Sequence, residues 1–331
     1  MCRAGSERRG RAHFGPRRGT GSSCCRDCPV TAALSLGTYR VRDVCEAARI
    51  ALRAGAPWID TAPNYADGMA QQSLGPVLRE HPGATQTATK TGFFTRSQAQ
   101  TAMALGVLTD EDAAVGHSLD PRFVCHQVEE ARKQLGRVDL VFVHNPERAA
   151  RNGHRAALHG RLREAFAVLE GLVQLRRIGG YGVATWSGLR EGAFSVPELV
   201  TLAREASGSE GHHLIGIQMP ISLIMDAPIT QALNGGGPLV EAQDAGMLTF
   251  ASAPLHGGEL LDSMTPELID LIRPGLSPGA AGLLAAASCP ALDLVLTSAS
   301  SLGHWDDAAK ALAAPLTREQ LRRVTDELAT G

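Results

Sequence analysis

The stretch "VDLVFVH" (138–144) is followed by "LREAFAVLEGLVQLRRIG" (162–179) and then by "GYGVAT" (180–185). The first and third runs are short and apolar, whereas the middle run places apolar residues at helical spacing. A strand, a helix and a strand in this order make the two strands parallel, because the helical crossover returns the chain to the same edge of the sheet. This unit predicts a parallel sheet that is covered by helices.

The same alternation runs along the chain from residue 31. Eight short apolar runs, each followed by a helical stretch, end at Thr38, Asp60, Lys90, His144, Thr185, Gln218, Ser252 and Ser298. Eight alternating units favour a closed (β/α)8 barrel, a TIM barrel, over an open sheet. No G-x-G-x-x-G lies between the first strand and helix, which argues against a Rossmann fold. We expect one barrel domain over residues 31–331, with surface insertions near 92–120, 147–158 and 207–213.

Composition narrows the classes of partner. The 331 residues are 44% hydrophobic and 20% charged, which is enough apolar material for a large core. A net charge of −2 argues against nucleic acid, and no apolar run reaches the roughly 18 residues of a membrane span. We therefore expect neither nucleic acid nor a membrane as a partner. Cys45, Cys125 and Cys289 lie in apolar contexts, which indicates reduced thiols and a cytoplasmic protein.

The first thirty residues differ from the rest. They contain seven arginines against Glu7 and Asp27, and they lack apolar periodicity, so we expect a disordered basic arm over 1–30. Four of the seven cysteines lie in this arm. Cys25 and Cys28 are spaced like two zinc ligands, but a structural zinc site needs four placed ligands, so we predict no metal.

Polar residues at the strand ends predict an active site. The carboxyl ends of the strands in a parallel barrel meet at one rim, which would bring Asp60, Lys90 and His144 together. Tyr65 follows the second strand in a polar loop. Each residue alone also fits a bland role, such as a turn cap for Asp60 or a packing aromatic for Tyr65. Their joint occurrence on three successive strands favours a catalytic group.

These four side chains fit one chemistry. An unperturbed tyrosine has a pKa of about 10, which is too high for efficient proton donation near neutrality. We expect the ammonium of Lys90 to lower the pKa of Tyr65, and Asp60 to pair with Lys90. His144 would hydrogen-bond a carbonyl oxygen. Such a set suits protonation of the oxyanion that forms when a hydride reaches a ketone or aldehyde, and the hydride must come from a cofactor.

From about residue 32 to 326 the chain resembles the aldo-keto reductase family. The matching stretches are "LSLGTY", "WIDTAPNYADG", "ATKTG", "DLVFVHNPE", "RRIGGYGVATW", "IQMP", "FASAPLHGGEL" and "LTSASS". The resemblance implies a nicotinamide-dependent oxidoreductase that reduces an aldehyde or ketone to an alcohol, or runs the reverse reaction, on a small-molecule substrate. It also implies a catalytic tetrad of Asp60, Tyr65, Lys90 and His144.

The resemblance further implies an extended nicotinamide cofactor over the barrel mouth. Family members hold its carboxamide with Ser-Asn after the fifth strand and a Gln at the sixth; here these positions are Ala184, Thr185 and Gln218. Ser252 stands where an aromatic ring often stacks on the nicotinamide. The implied cofactor-binding residues are Gly37, Thr38, Tyr39, Asp60, Thr185, Gln218, Ser252, Pro254, Leu255, Gly257, Ser298, Ser300, His304 and Asp307.

The phosphate end of the cofactor site departs most from the family. NADP-specific members place a basic residue after the eighth strand, and His304 stands at that position here. Asp307 and Ala308 occupy the positions of the Glu and Asn that hold adenine. Ser298, Ser300 and the amides of the following helix are left to bind a phosphate. NADP(H) is favoured by the resemblance, with NAD(H) as the alternative.

Two other functions stay open on the same fold. One is a redox-sensing regulatory subunit like the potassium-channel β subunits that resemble this family, which would bind the cofactor and a partner without turnover. The other is a biosynthetic tailoring enzyme, a cyclase or isomerase, which would show no net change in nicotinamide absorbance.

Overall fold

A computed structural model describes residues 31–149 and 154–330. Its eight parallel strands close into a barrel in sequence order, and β1 pairs with β8. The strands are β1 (Ala33–Gly37), β2 (Trp58–Asp60), β3 (Gln86–Thr91), β4 (Leu140–His144), β5 (Gly180–Ala184), β6 (Leu214–Pro220), β7 (Leu248–Ser252) and β8 (Leu294–Thr297). The predicted TIM barrel is confirmed, and each strand ends within two residues of its predicted end. The predicted arm, with Cys25 and Cys28, lies outside the described residues.

Helices follow the strands as the alternation predicts. In the described ranges they are α1 (Val44–Arg53), α2 (Ala70–Glu80), α3 (Arg96–Ala104), α4 (Asp110–Val115), α5 (Pro121–Leu135), α6 (Arg155–Gln174), α7 (Val196–Ser207), α8 (Ala227–Leu233), α9 (Pro238–Asp244), α10 (Glu259–Ser263), α11 (Pro266–Ile272), α12 (Pro278–Ala287), α13 (Leu302–Leu312) and α14 (Arg318–Thr330). The insertion expected at 92–120 contains α3 and α4, and α6 begins earlier than its apolar pattern indicated. None of the helices in the part of the chain that the structure describes could span a membrane.

The barrel interior is filled with large side chains beneath the polar rim. Trp58 and Phe142 each meet Phe250 edge to face, with ring centroids 5.4 and 5.3 Å apart. Because strand side chains alternate between faces, Trp58 and Asp60 share the inward face of β2, and Phe142 shares that of β4 with His144. The aromatic layer therefore forms a floor under the strand ends.

The loops after the strands contain most of the non-glycine residues with left-handed backbone conformations. Eight non-glycine residues have a positive φ among the described residues, and six of them lie in loops that follow a strand: Arg40, Ala66, Asp67, Asn145, Ala253 and His256. A left-handed conformation costs a non-glycine residue roughly 1–2 kcal/mol. Backbone strain is thus concentrated at the rim where the predicted catalytic side chains lie.

The described cysteines and acidic residues form no metal or disulfide site. Cys45, Cys125 and Cys289 are free thiols. Within residues 31–149 and 154–330, no group of three or more His, Cys, Asp or Glu side chains could hold a metal ion.

Candidate active site

A buried ion pair joins the ends of β2 and β3. Lys90 Nζ donates to Asp60 Oδ2 and, at 3.0 Å, to the carbonyl oxygen of Thr61. Both charged side chains are almost fully buried. Burial lowers the pKa of Lys90 from its ordinary value, while Asp60 acts in the opposite direction. The predicted pairing of Asp60 with Lys90 is present in the structure.

Asp60 also receives a hydrogen bond from the other side of the barrel. Gln218 Nε2, near the end of β6, donates to Asp60 Oδ1 at 3.0 Å. The carboxylate therefore accepts from two strands, which fixes its orientation. Gln218, predicted as a carboxamide ligand, lies against the predicted tetrad and is buried together with Asp60 and Lys90.

Tyr65 lies beside this pair on a 3-10 turn, Tyr65–Gly68. Its ring centroid is 5.0 Å from Lys90 Nζ and 5.0 Å from the ring of Tyr39. The ring of His144 is 6.2 Å away and nearly perpendicular. The structure thus brings together all four residues of the predicted tetrad, with Tyr39 at the outer edge.

The pKa of Tyr65 is raised well above 10, because burial disfavours the phenolate, and the negative charge of Asp60 and the neighbouring Tyr39 act in the same direction. The expectation that Lys90 lowers this pKa is wrong. The ammonium is paired with Asp60, whose charge offsets it at the phenol. Tyr65 is therefore a neutral phenol over the ordinary pH range.

His144 is a neutral imidazole at the end of β4. Burial, followed by the nearby charge of Lys90 and by His117, holds its pKa well below 6.5. Its Nδ1 is buried without a hydrogen-bond partner. A neutral imidazole keeps one N–H donor, so His144 can donate to a carbonyl oxygen without carrying a charge.

The loop after β5 is organised by a carboxylate that sequence reasoning missed. Glu147 Oε1 accepts from Thr185 Oγ1 at 2.9 Å and from the backbone N–H groups of Trp186 and Ser187 at 3.1 Å. The hydroxyl of Thr185 also accepts from Gly188 N at 2.8 Å. Both sides of the Thr185 hydroxyl are therefore engaged within the protein. The sequence feature that could have indicated Glu147 is its position, an acidic residue three positions after His144, which ends the strand next to β5.

The ends of β1, β2 and β8 are fastened by hydroxyl groups that sequence reasoning assigned to the cofactor. Ser298 Oγ lies 3.0 Å from the carbonyl oxygen of Gly37 and 2.8 Å from that of Tyr39. Thr38 Oγ1 donates to Thr61 Oγ1 at 2.9 Å. Ser298 and Thr38 thus have structural partners at the barrel closure.

The remaining predicted cofactor residues lie on the β7 and β8 sides. Ser252 ends β7, Pro254 is buried in the following loop, and Leu255 packs towards α12. Ser300 and His304 are exposed. Asp307 accepts a hydrogen bond from Ser277 at the start of α12.

Arg40, directly after Tyr39, is a cation of the rim that sequence reasoning did not single out. Its guanidinium lies 5.3 Å from the ring of Tyr39. The loop after β7 reaches it, since a Cβ on Gly257 would stand 2.8 Å from Arg40 Nη1. Trp186 and His256, whose rings are 5.9 Å apart, bring the loops after β5 and β7 together. The sequence feature that could have indicated Arg40 is a basic residue in the loop directly after the first strand.

Residues 31–191, which run from the start of β1 to just beyond β5, match the family model described as Aldo/keto reductase family. The match identifies residues 31–191 as an Aldo/keto reductase family domain. A search among curated proteins gave no significant match.

Solved structures of aldo-keto reductases share the fold over nearly the whole chain. A Klebsiella pneumoniae aldo-keto reductase in complex with NADPH is 19% identical, with a TM-score of 0.62 and coverage of 90% of this chain and 95% of that one. A second K. pneumoniae structure, with NADP and acetate, is 19% identical at a TM-score of 0.62 and covers 89% and 91%. A glycerol dehydrogenase from Gluconobacter oxydans is 20% identical at a TM-score of 0.66 and covers 92% and 94%.

Proposed function

We propose that the protein is a cytoplasmic, NADP(H)-dependent oxidoreductase that interconverts a small carbonyl compound and its alcohol. The observation that carries this proposal is the buried Asp60–Lys90 pair next to the phenol of Tyr65 and the neutral imidazole of His144. The cofactor choice is supported by NADPH and NADP in the similar K. pneumoniae structures. The free thiols support the cytoplasmic location.

The residues around the rim fit such a cofactor. Arg40 is exposed beside the ring of Tyr39, so its guanidinium can receive a phosphate. Gly257, exposed with a positive φ, leaves the backbone beside Arg40 open. Gln218 and Thr185 lie near the ends of β6 and β5, and because the Thr185 hydroxyl is engaged by Glu147 and Gly188, Gln218 is the side chain left to hold a carboxamide. Ser300 and His304 are exposed on the β8 side.

The side chains divide the proton chemistry among them. A bound nicotinamide cofactor supplies or accepts the hydride. His144 donates a hydrogen bond to the substrate oxygen and orients it towards Tyr65. The proton of Tyr65 Oη passes to that oxygen as the alcohol forms, which leaves Tyr65 as a phenolate. The raised pKa keeps on Tyr65 the proton that carbonyl reduction consumes.

The decisive experiment replaces Tyr65 by Phe. We expect Tyr65→Phe to bind NADPH within about twofold of the wild type and to lose about 100-fold or more of the turnover on a panel of aldehydes and ketones, because the proton donor is gone. Cofactor fluorescence and absorbance measure the two properties separately. Full turnover by Tyr65→Phe would contradict the proton-donor role.

Tyr181→Phe is the matched control. It removes the same hydroxyl from a residue whose partner is the buried Glu170, 2.8 Å away. We expect this variant to be less stable and to keep its turnover per folded molecule. Wild-type protein that binds NADH but not NADPH would overturn the cofactor choice. Cofactor binding without any turnover would favour the sensing subunit, and turnover without absorbance change would favour the cyclase or isomerase.

A further inference from the structure

The connection between β3 and α5 contacts the segment that carries Tyr65. Gln98, in the first turn of α3, accepts from the backbone N–H of Thr95 at 2.9 Å through Oε1. Through Nε2 it donates to the carbonyl oxygen of Pro63 at 2.8 Å. Pro63 stands two residues before Tyr65. One side chain therefore caps α3 and holds the loop that presents the phenol.

The loop held by Gln98 needs such contacts. Ala66 and Asp67, directly after Tyr65, have left-handed backbone conformations with φ of 48° and 52°. Non-glycine residues keep such conformations only where the surroundings enforce them. The end of the turn also packs on Gln98, since a Cβ on Gly68 would lie 3.3 Å from Gln98 Nε2. The position of Tyr65 thus depends on α3.

The far end of the same connection contacts the segment that carries His144. His117 is buried, and its Nε2 lies 2.8 Å from the carbonyl oxygen of His144. A carbonyl oxygen only accepts, so His117 is the donor and carries its proton on Nε2. Burial lowers the pKa of His117 to about 4, which keeps the ring neutral. Asn145, the next residue after His144, has a φ of 45°, so the bond lies where the chain leaves the strand.

Phe93 fills the space between the two histidines. Its ring centroid is 4.8 Å from that of His117 and 4.9 Å from that of His144. Phe93 and His117 also pair as an antiparallel bridge. There is little free space, because a Cβ on Gly92 would stand 2.6 Å from His117 Nε2. His144 is therefore supported by this connection at its backbone and at its ring.

We propose that Gln98 and His117 are positioning residues that set the relative placement of Tyr65 and His144, whose rings lie 6.2 Å apart. This inference rests on the proposed function. Gln98 acts through the carbonyl of Pro63, and His117 acts through the backbone carbonyl of His144. Proton transfer is sensitive to small displacements of the donor, so a loosened connection slows the chemical step before it weakens binding.

The test at Gln98 separates its two hydrogen bonds. Gln98→Glu keeps an acceptor for the N–H of Thr95 but places an oxygen against the carbonyl of Pro63. Gln100→Glu introduces the same charge at an exposed position of α3. We expect Gln98→Glu to lower kcat about tenfold or more with the Kd for NADPH unchanged, and Gln100→Glu to stay within about twofold of wild type.

The test at His117 compares loss with rescue. His117→Leu removes the donor to the carbonyl of His144, whereas His117→Gln offers an amide N–H near the position of Nε2. At mildly alkaline pH we expect His117→Leu to lose about tenfold or more in kcat, and His117→Gln to recover most of it. Melting temperature and NADPH binding are measured for every variant, so that a loss of folded protein is recognised.

The outcomes distinguish positioning from mere support. If the variants only lower the melting temperature and keep kcat per cofactor-binding site, the positioning role is wrong. It is also wrong for His117 if the Gln variant is as slow as the Leu variant. If the wild type turns over carbonyls, Tyr65→Phe does not, and these variants keep full kcat, the proposed function stands and this inference fails. If the wild type has no turnover, the proposed function fails and this inference fails with it.

Discussion

At Tyr65 the surroundings act against ionisation. The phenol is half-buried, Asp60 is close, and the ammonium that could stabilise a phenolate is committed to that carboxylate. The types of the four rim residues could be predicted from sequence, because side chains at strand ends of a parallel barrel meet at one rim. The direction in which the Tyr65 pKa is shifted could not be predicted, because the shift depends on how deeply the ring is buried and on where the Asp60 charge lies.

The lowered pKa values of His117 and His144 predict a loss of stability in acid. The folded pKa of His117 is about 4 against an ordinary 6.5, mainly because of burial, which its bond to the His144 carbonyl partly offsets. The unfolded chain therefore binds more protons between these two values, so stability falls as pH falls through this window. The loss from His117 amounts to about 3 kcal/mol at most, and the lowered pKa of His144 acts in the same direction.

Urea unfolding at a series of pH values between neutrality and pH ~4 measures this dependence. We expect His117→Gln to show a flatter acid limb than the wild type, because it removes one group that must stay neutral. His81→Gln, at an exposed position, is the control and should follow the wild type. Identical pH dependence in wild type and His117→Gln would show that the burial of His117 does not contribute to the loss of stability in acid.

At the scale of elements, strongly patterned segments were predictable and short capped ones were not. The strands and α5 follow from apolar periodicity, and α5 begins at the expected Pro121 after the cap Asp120. α3 and α4 were missed because each is short, and α4 has no buried residue. Their start depends on the caps Thr95 and Thr109, which resemble ordinary loop residues in sequence.

The packing of α2 on α5 predicts a large effect at one glycine. A Cβ on Gly75 would stand 2.0 Å from the carbonyl oxygen of Gln134, so the two helices would have to separate. We expect Gly75→Ala to lower the free energy of unfolding by about 3 kcal/mol, as overpacking does at a rigid backbone. Chemical denaturation of the purified variant measures this change.

Gly171→Ala is the matched control for that prediction. Gly171 also lies inside a helix, α6, but an added Cβ would meet nothing within 4 Å. We expect this substitution to stabilise the protein by about 0.5–1 kcal/mol, because alanine loses less backbone entropy than glycine on folding. Equal effects at the two sites would mean that the helix contact is not as close as described.

At the scale of the whole molecule, closure of the barrel joins the first strand, β1, to the last strand, β8. β1 pairs with β8 from Ala33↔Leu294 to Leu36↔Thr297, and Ala32 N donates to the carbonyl of Ala287 at 2.9 Å. The number and direction of the strands could be predicted from their alternation with helices. The close contact between the loop after β7 and Arg40 could not be predicted. The two segments are more than two hundred positions apart in the chain, and left-handed backbone turns bring them together.

This closure predicts where the chain can be shortened. We propose that residues 1–30 are separate from the barrel, and we expect a variant that starts at residue 31 to keep its melting temperature and its NADPH affinity. Removing residues 31–37 as well deletes β1 and opens the barrel, so that variant should not fold. A fall of several degrees in the first variant would contradict the separation.

The residues with left-handed backbone at the rim predict that selection for heat tolerance would act against a precise active site. Arg40, Ala66, Asp67, Asn145, Ala253 and His256 all adopt a conformation that glycine would adopt without steric penalty. Random mutagenesis scored by residual folding after heating would therefore favour glycine at these positions. The same substitutions would widen the range of conformations open to the rim. The most heat-stable variants from such a screen would therefore also be those in which the catalytic side chains are least precisely placed.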